Sequence, residues 1–295
     1  MFDALKSILR DPPPAMAFEI SEAGIAAARI GSRAELEWQP LKTGTLAISP
    51  LKENVVDPDE FTKVVRNLAA TQAARKRKDV ALILPDFSAR TTVVDFDSFP
   101  SDVREQASLV RFRLKRSVPF DVESAALSYH AQPSHGGRVD VVVSVASIEI
   151  VARYEAPFRA VGMNPGLVTT SSLATLELAP EASLSVVAKI TGNVLTVLVR
   201  DKGVLKLVRC LELPSNHLDD VVGVLLPTFV YAEDNLGGRP ASLLLCGFGP
   251  RTAEAQSRFH EELGVEVEPL RSALGAPGEN NAGLLGYLRS IARNN

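Results

Sequence analysis

Residues 184–210, LSVVAKITGNVLTVLVRDKGVLKLVRC, decide the fold of this chain. They contain three short apolar runs, at 184–190, 194–199 and 204–210, with polar breaks between them. Runs of this length that are rich in Val and Leu predict antiparallel strands, which follow one another as a meander. The sequence therefore predicts a three-stranded unit at this point of the chain.

The same pattern occurs in the first part of the chain, where β-type runs at 15–20, 25–30 and 35–40 predict another meander. Each meander is followed by a helix, a strand, a helix, a strand and a helix. In the first half these are a helix beginning at Asp57-Pro58, a strand at 80–84, a helix at 147–160, a strand at 166–169 and a helix at 171–178. In the second half they are 217–233, 241–246, 252–263, 264–268 and 282–292. Such a duplication predicts two mixed sheets flanked by helices, with a cleft between the halves.

Only the first half carries a large insertion, at 88–146. Its residues predict a strand at 91–96, a helix that begins at Ser101-Asp102 and ends at Pro119, and a hairpin of two strands at 125–131 and 139–145. The inserted unit is therefore expected to be strand, helix, strand, strand.

Composition excludes several classes of protein. The 295 residues have 46% hydrophobic and 23% charged content and a net charge of −3, which describes a globular chain without general attraction to nucleic acid. Cys210 and Cys246 lie in apolar runs and are predicted to be buried free thiols of a reducing compartment. These thiols predict a cytoplasmic protein. No apolar stretch reaches the ~20 residues that span a bilayer, so any membrane role is expected to be indirect.

Four domains are predicted. They are an N-terminal amphipathic segment at 1–14, a first domain at 15–87 plus 147–182, the inserted subdomain at 88–146 and a second domain at 183–295. Phe2, Leu5, Ile8 and Leu9 of the first segment share one helical face. A short helix that packs on its own domain is favoured over a membrane-surface anchor.

Residues 110–121 resemble a motif of the type IV pilus assembly protein PilM family, which is similar to the cell-division protein FtsA. The resemblance is carried by Val110-Arg111-Phe112 through Val118-Pro119-Phe120-Asp121, and the order of elements agrees over nearly the whole chain. It implies an α/β fold of the duplicated actin-like ATPase (ribonuclease-H-like) type, with the inserted subdomain used for protein contacts. Such proteins hold Mg-ATP between two hairpin turns that carry Asp-x-Gly.

The residues at the implied nucleotide positions depart from that pattern. Glu19-Ile20-Ser21 is predicted as the first turn, with Ser21 in place of glycine, and Lys189-Ile190-Thr191 as the second, with Gly192 one position later. We expect a salt bridge between Glu19 and Lys189 where metal and phosphates sit in active relatives. The resemblance places the adenosine loop at Gly247-Phe248-Gly249, where the Phe248 ring would fill the base pocket or, less favoured, stack on it.

A fourth subdomain, which closes the cleft in PilM, is expected to be reduced to a loop between 213 and 219. These departures predict a non-catalytic scaffold without a cofactor; an alternative is a PilM-type protein that still binds ATP and Mg²⁺, with Lys189 contacting phosphate. The scattered histidines lack zinc-ligand spacing, and no Gly-x-Ser-x-Gly elbow occurs.

The resemblance implies a partner, the cytoplasmic N-terminal tail of a PilN-like inner-membrane protein, bound in a groove that involves the first domain and its insertion. Membrane contact would then be indirect, and other pilus motor components are further expected partners. Candidate partner-binding residues are Arg111, Phe112, Lys115, Pro119 and Phe120. The basic side of this helix is either a solvated face, which is favoured, or a site for an acidic tail or anionic lipid headgroups. The alternative assignment is a GspL-like cytoplasmic component of a type II secretion system, and filament formation stays open.

Overall fold

The computed structural model describes residues 13–29, 35–72, 79–132, 137–181, 183–215 and 217–294. The predicted N-terminal helix lies outside the described residues. The strands are β1 (Met16–Ser21), β2 (Gly24–Arg29), β3 (Glu35–Pro40), β4 (Asp79–Leu84), β5 (Arg90–Phe96), β6 (Ala125–Ala131), β7 (Val139–Ser147), β8 (Asn164–Thr170), β9 (Ser185–Thr191), β10 (Val194–Asp201), β11 (Val204–Glu212), β12 (Ser242–Cys246) and β13 (Glu266–Pro269). The helices are α1 (Pro58–Gln72), α2 (Val103–Leu114), α3 (Ile148–Ala160), α4 (Ser171–Thr175), α5 (Leu218–Leu236), α6 (Thr252–Leu263) and α7 (Ala282–Asn294).

Two five-stranded sheets have the same strand order. The first is β3-β2-β1-β4-β8 and the second is β11-β10-β9-β12-β13. In each sheet the meander pairs antiparallel. The next strand, β4 or β12, pairs parallel with the first strand of the meander, and β8 or β13 pairs parallel with β4 or β12. The predicted duplication is confirmed. Its central strands β4 and β12 are almost entirely buried, as their continuous apolar sequences predict.

The insertion forms a separate three-stranded sheet of order β5-β7-β6. Asp102 caps α2 by accepting hydrogen bonds from the backbone N–H groups of Arg104 and Glu105. Val110 and Leu114 then bury that helix against Val141 and Val143 of β7. The predicted order of strand, helix, strand, strand is confirmed.

The inserted sheet also contacts the second half of the chain. The Gln132 side-chain amide pairs with the backbone of Leu205 on β11, donating to its carbonyl at 2.8 Å and accepting from its N–H at 2.7 Å. Lys206 forms an ion pair with Asp140 at 2.6 Å. The insertion thus contacts β11, one of the two edge strands of the second sheet, and connects the two halves on that side.

Helices α4 and α7 lie between the two sheets. Leu284, Tyr287, Leu288 and Ile291 of α7 pack on a surface of the first sheet that is mostly alanine, Ala17, Ala26, Ala28, Ala81 and Ile83. On the other side of α7, Leu285 packs with Val187 and Leu244 of the second sheet. The small side chains of this surface allow α7 to approach the first sheet closely.

The connection after the second meander is short. Strand β11 ends at Glu212 and α5 begins at Leu218. The fourth subdomain is therefore reduced to a loop, as the sequence predicts. Both cysteines are free thiols; Cys246 is buried, whereas Cys210 is half-buried. Burial raises the pKa of Cys246 to about 12.

Candidate functional site

A cleft between the two halves encloses about 230 Å³ at the ends of β1 and β9. The register of the hairpins makes Glu19 and Lys189 equivalent. Glu19 lies opposite Ala26, two residues before the closing pair of its hairpin, and Lys189 lies opposite Thr196 in the same relation. The predicted equivalence is confirmed. Both residues lie inside strands, however, because the turns are at 22–23 and 192–193, so the prediction that they form the turns themselves is wrong.

Lys189 is buried, and its ammonium group donates two hydrogen bonds. Its Nζ donates to Asp86 Oδ2 at 3.0 Å and to Thr191 Oγ1 at 3.0 Å. Only 2% of the Lys189 side chain and 5% of that of Asp86 are exposed. Burial by itself lowers the pKa of Lys189, but the charges of Asp86 and Glu19 outweigh that effect and raise it, so the amine stays charged. The predicted salt bridge between Lys189 and Glu19 is wrong, because Asp86 is the partner.

Asp86 was not predicted from the sequence. It lies two residues after the end of β4. Its carboxylate accepts hydrogen bonds from the backbone N–H of Ser172 at 2.6 Å and the hydroxyl of Thr196 at 3.2 Å in addition to that from Lys189. It therefore connects the first half, the start of α4 and two strands of the second half. A polar residue at the carboxyl end of a buried parallel strand is a recognised signal for a site, and that rule would have found it.

Glu19 binds to the two helices between the sheets, α4 and α7. Its carboxylate accepts hydrogen bonds from the Ser171 hydroxyl at the start of α4 and from the backbone N–H of Leu284 in the first turn of α7, the latter at 2.7 Å. A carboxylate at a helix N-terminus accepts hydrogen bonds from free N–H groups. Its negative charge also interacts favourably with the positive end of the helix dipole. Burial raises the pKa of Glu19, and the nearby Lys189 charge opposes this.

The charge around the cleft is mostly negative. Among the described residues that line it, five carboxylates accompany one amine: Glu19, Glu22, Asp86, Glu212, Glu279 and Lys189. Ser21, Thr191 and Gly192 also line it. The Thr191 hydroxyl donates to the Glu279 backbone carbonyl at 3.3 Å, and the Gly192 N–H donates to its carboxylate at 3.4 Å. This mouth of the cleft is therefore held by the loop that precedes α7.

The predicted adenosine loop does not line the cleft. Phe248 is 3% exposed and packs edge-on against Phe259 in the core of the second half, with ring centroids 5.8 Å apart. The ring therefore points into this core and does not line the cleft, and its effect on a base pocket stays a prediction. Gly247 has φ +85°, and a Cβ there would lie 2.0 Å from the Ile190 carbonyl oxygen. Gly249 also has a positive φ, at +52°. Gly247 therefore allows the loop to approach β9 closely, and the positive φ angles of both glycines allow the loop to turn sharply.

A second concavity of about 250 Å³ lies between the inserted sheet and the first sheet. Its wall is mainly apolar and includes Leu84, Leu127, Val142, Val151, Val168 and Leu173. We call this the β6–β8 groove, because β6 and β8 are the outermost strands of their two sheets. The hydroxyl of Thr170, which also lines it, is buried without a hydrogen-bond partner among the described residues.

The predicted partner-binding residues lie elsewhere on the insertion. Arg111, Phe112, Lys115, Pro119 and Phe120 belong to α2 or to the segment after it, and none of them lines the β6–β8 groove. Arg111 donates to the Val122 carbonyl, and Phe120 packs half-buried against the inserted core. Phe112 is 75% exposed. Their role in partner binding stays a prediction.

No described helix has the length and apolar character needed to cross a membrane. Within the same ranges, no group of His, Cys, Asp and Glu side chains could hold a metal ion.

Comparison with known proteins supports the fold. No protein-family model and no curated protein sequence matches this chain. Among solved structures, a chain from the PilM-PilN type IV pilus biogenesis complex is similar, with a TM-score of 0.76 at 20% identity, over 94% of this chain and 98% of that chain. An actin-like ATPase-fold protein of unknown function from Bacteroides thetaiotaomicron has a TM-score of 0.58 at 13% identity, over 92% and 94% of the two chains. The cytoplasmic domain of EpsL, an inner-membrane component of the type II secretion system of Vibrio cholerae, has a TM-score of 0.54 at 13% identity, over 95% and 94%. The chain thus has the actin-like ATPase fold.

Proposed function

We propose that this protein is a non-catalytic scaffold of a type IV pilus assembly complex, and that it binds the cytoplasmic tail of a PilN-like inner-membrane protein in the β6–β8 groove. The observation that carries the proposal is this groove, an apolar channel between two outermost strands, in a chain that is similar along its length to one from a PilM-PilN complex. The protein would then work at the cytoplasmic side of the inner membrane through its partner.

The groove suits an extended segment. An outermost strand offers backbone N–H and C=O groups along its free side, and a peptide that adds as a further strand pairs with them. Val168 and Leu127 supply apolar contacts to the peptide. An extended tail with alternating apolar side chains is therefore the expected ligand.

The PilM-like assignment is favoured over the secretion-system alternative. The likeness to the chain from the PilM-PilN complex has a TM-score of 0.76, whereas that to the EpsL cytoplasmic domain has 0.54. Pull-down of the membrane partner from its native host, followed by mass spectrometry, distinguishes the two assignments. A secretion-system protein as the captured partner would contradict ours.

The tail-binding proposal is tested by Val168→Asp. A carboxylate in the apolar groove would lose solvation without a counterion, so we expect the affinity for a synthetic peptide of the partner tail to fall at least tenfold. Calorimetric titration of the full chain measures it. Val56→Asp is the matched control, since Val56 is an exposed valine outside the groove; it should leave the affinity unchanged. Equal affinities for both variants would contradict the proposal.

We further propose that the cleft between the halves does not hold Mg-ATP. The residues present do not fit that ligand: Lys189 stands at one of the two carboxylate positions and is paired with Asp86, and Glu19 already binds the N-terminus of α7. The remaining carboxylates at the mouth would repel a triphosphate. Phosphate binding by Lys189 would require the buried pair to break.

Calorimetric titration with Mg-ATP checks this expectation. We expect no saturable heat for the wild-type protein and no shift of its melting temperature with nucleotide. The peptide titration in the same buffer is the positive control that the protein is folded. Saturable binding of Mg-ATP would contradict the proposal that the cleft does not hold this ligand.

A further inference from the structure

Phe112 is the most exposed large apolar side chain of the described residues, at 75%. It lies near the end of α2, and Lys115 and Arg116 follow it, both exposed. The helix already has Arg111 and Arg113 in its last turn. We call Phe112, Lys115 and Arg116 the Phe112 patch: an aromatic ring on a basic surface, of the kind that anchors protein interfaces.

Helix α5 carries a second exposed apolar surface. Its inner face, which includes Val221, Leu225 and Phe229, is buried in the core of the second half. On its outer face Leu226 is 41% and Val230 is 54% exposed. Together with Gly223 and Pro227 they form a continuous row at helical spacing, the α5 stripe. A helix that is apolar on both faces is normally covered on both.

The charges at the end of α5 are unfavourable in the isolated molecule. Its last turn has no basic residue but contains Glu233 and Asp234, next to the negative end of the helix dipole. Among the described residues, Glu233 forms a surface ion pair with Arg239, at 3.4 Å. Cationic side chains of another molecule would offset the repulsion between these carboxylates and the negative end of the helix dipole. The Phe112 patch brings such cations beside an aromatic ring, and the α5 stripe provides aliphatic contacts beside two carboxylates.

We propose that the Phe112 patch of one copy docks on the α5 stripe of a second copy. The Phe112 ring would lie on the flat surface made by Gly223 and Pro227, between Leu226 and Val230, while Lys115 and Arg116 meet Glu233 and Asp234. Because the two surfaces are different, the contact is head-to-tail: one copy keeps a free α5 stripe and the other keeps a free Phe112 patch. A contact built around one aromatic anchor is weak, and salt reduces its ionic part.

Sedimentation velocity of the full chain over a concentration series tests this proposal. We expect the wild-type protein to sediment faster as its concentration rises, and less so in high salt. Phe112→Glu and Val230→Glu should each weaken the association at least tenfold. Val56→Glu is the matched control, since Val56 is 59% exposed and lies outside both surfaces; it should behave as the wild type.

An equimolar mixture of the two variants decides whether the contact is head-to-tail. The Val230→Glu copy keeps its Phe112 patch and the Phe112→Glu copy keeps its α5 stripe, so the mixture can form one contact and should stop at a dimer. Circular dichroism of each variant establishes that it is folded, and both substituted positions are more than half exposed. A wild-type protein that stays monomeric, variants that associate like the wild type, or a mixture without dimer would each overturn the proposal.

Discussion

Lys189→Met is expected to lower the free energy of unfolding by about 3–5 kcal/mol, the usual result when one partner of a buried ion pair is removed. Methionine fills a similar volume, so the loss is mainly electrostatic: the Asp86 carboxylate would stay buried with hydrogen bonds from Ser172 and Thr196 but without a counterion. Urea unfolding followed by circular dichroism measures the difference.

Two further variants separate this effect from a general loss of packing. Lys206→Met removes another ion pair between the halves, Lys206 with Asp140, whose side chains are 21% exposed; we expect it to cost at most about 1 kcal/mol. Combining Lys189→Met with Asp86→Asn should recover part of the stability, because no charge is then left buried. A Lys189→Met protein as stable as Lys206→Met would contradict the inference that the buried Lys189–Asp86 pair stabilises the fold.

The elements of the fold could be predicted from the sequence because each is a local pattern. The meander at 184–210 and its counterpart at 15–40 are predictable from apolar runs alone, and the repeated order of elements predicts the duplication that the two equivalent sheets confirm. The reduced fourth subdomain was also predictable, because only a few residues separate β11 from α5.

The partners in the cleft could not be predicted in the same way. The equivalence of Glu19 and Lys189 followed from the duplication, but it suggested that they pair with each other. In the structure Glu19 meets Leu284, 265 residues later in the chain, and Lys189 meets Asp86, 103 residues earlier. These contacts depend on how the helix layer sits between the sheets, which no local pattern encodes.

The direction of the Phe248 ring could not be predicted for a related reason. A residue at the end of a central strand can point into the cleft or back into the core, and the sequence Gly247-Phe248-Gly249 allows both. In the structure the Phe248 ring points into the core, where it makes an edge-on contact with Phe259 on the next helix. The position of the groove likewise depends on the packing of the inserted sheet against β8, two units that are separate in the sequence.

Gly286→Ala is expected to lower the free energy of unfolding by about 1–3 kcal/mol, although alanine favours a helix more than glycine does. Gly286 lies on α7 where this helix crosses α4. A Cβ at this position would lie 2.0 Å from the Ala174 carbonyl oxygen and 2.6 Å from its carbonyl carbon, which are backbone atoms that cannot turn aside. The helix would have to move away from α4, and the Leu284 N–H would move with it from Glu19.

Gly223→Ala is the matched control for this prediction, because Gly223 also lies in a helix but a Cβ there would meet no atom within 4 Å. It should stabilise the protein by about 0.5–1 kcal/mol through helix propensity alone. Urea unfolding at low protein concentration measures both variants as monomers. The two glycine substitutions are therefore expected to change stability in opposite directions, since only the first disturbs the layer between the sheets. A Gly286→Ala protein that gains stability as Gly223→Ala does would show that α7 can shift without loss, and the close crossing of α4 and α7 would then not hold the two halves together.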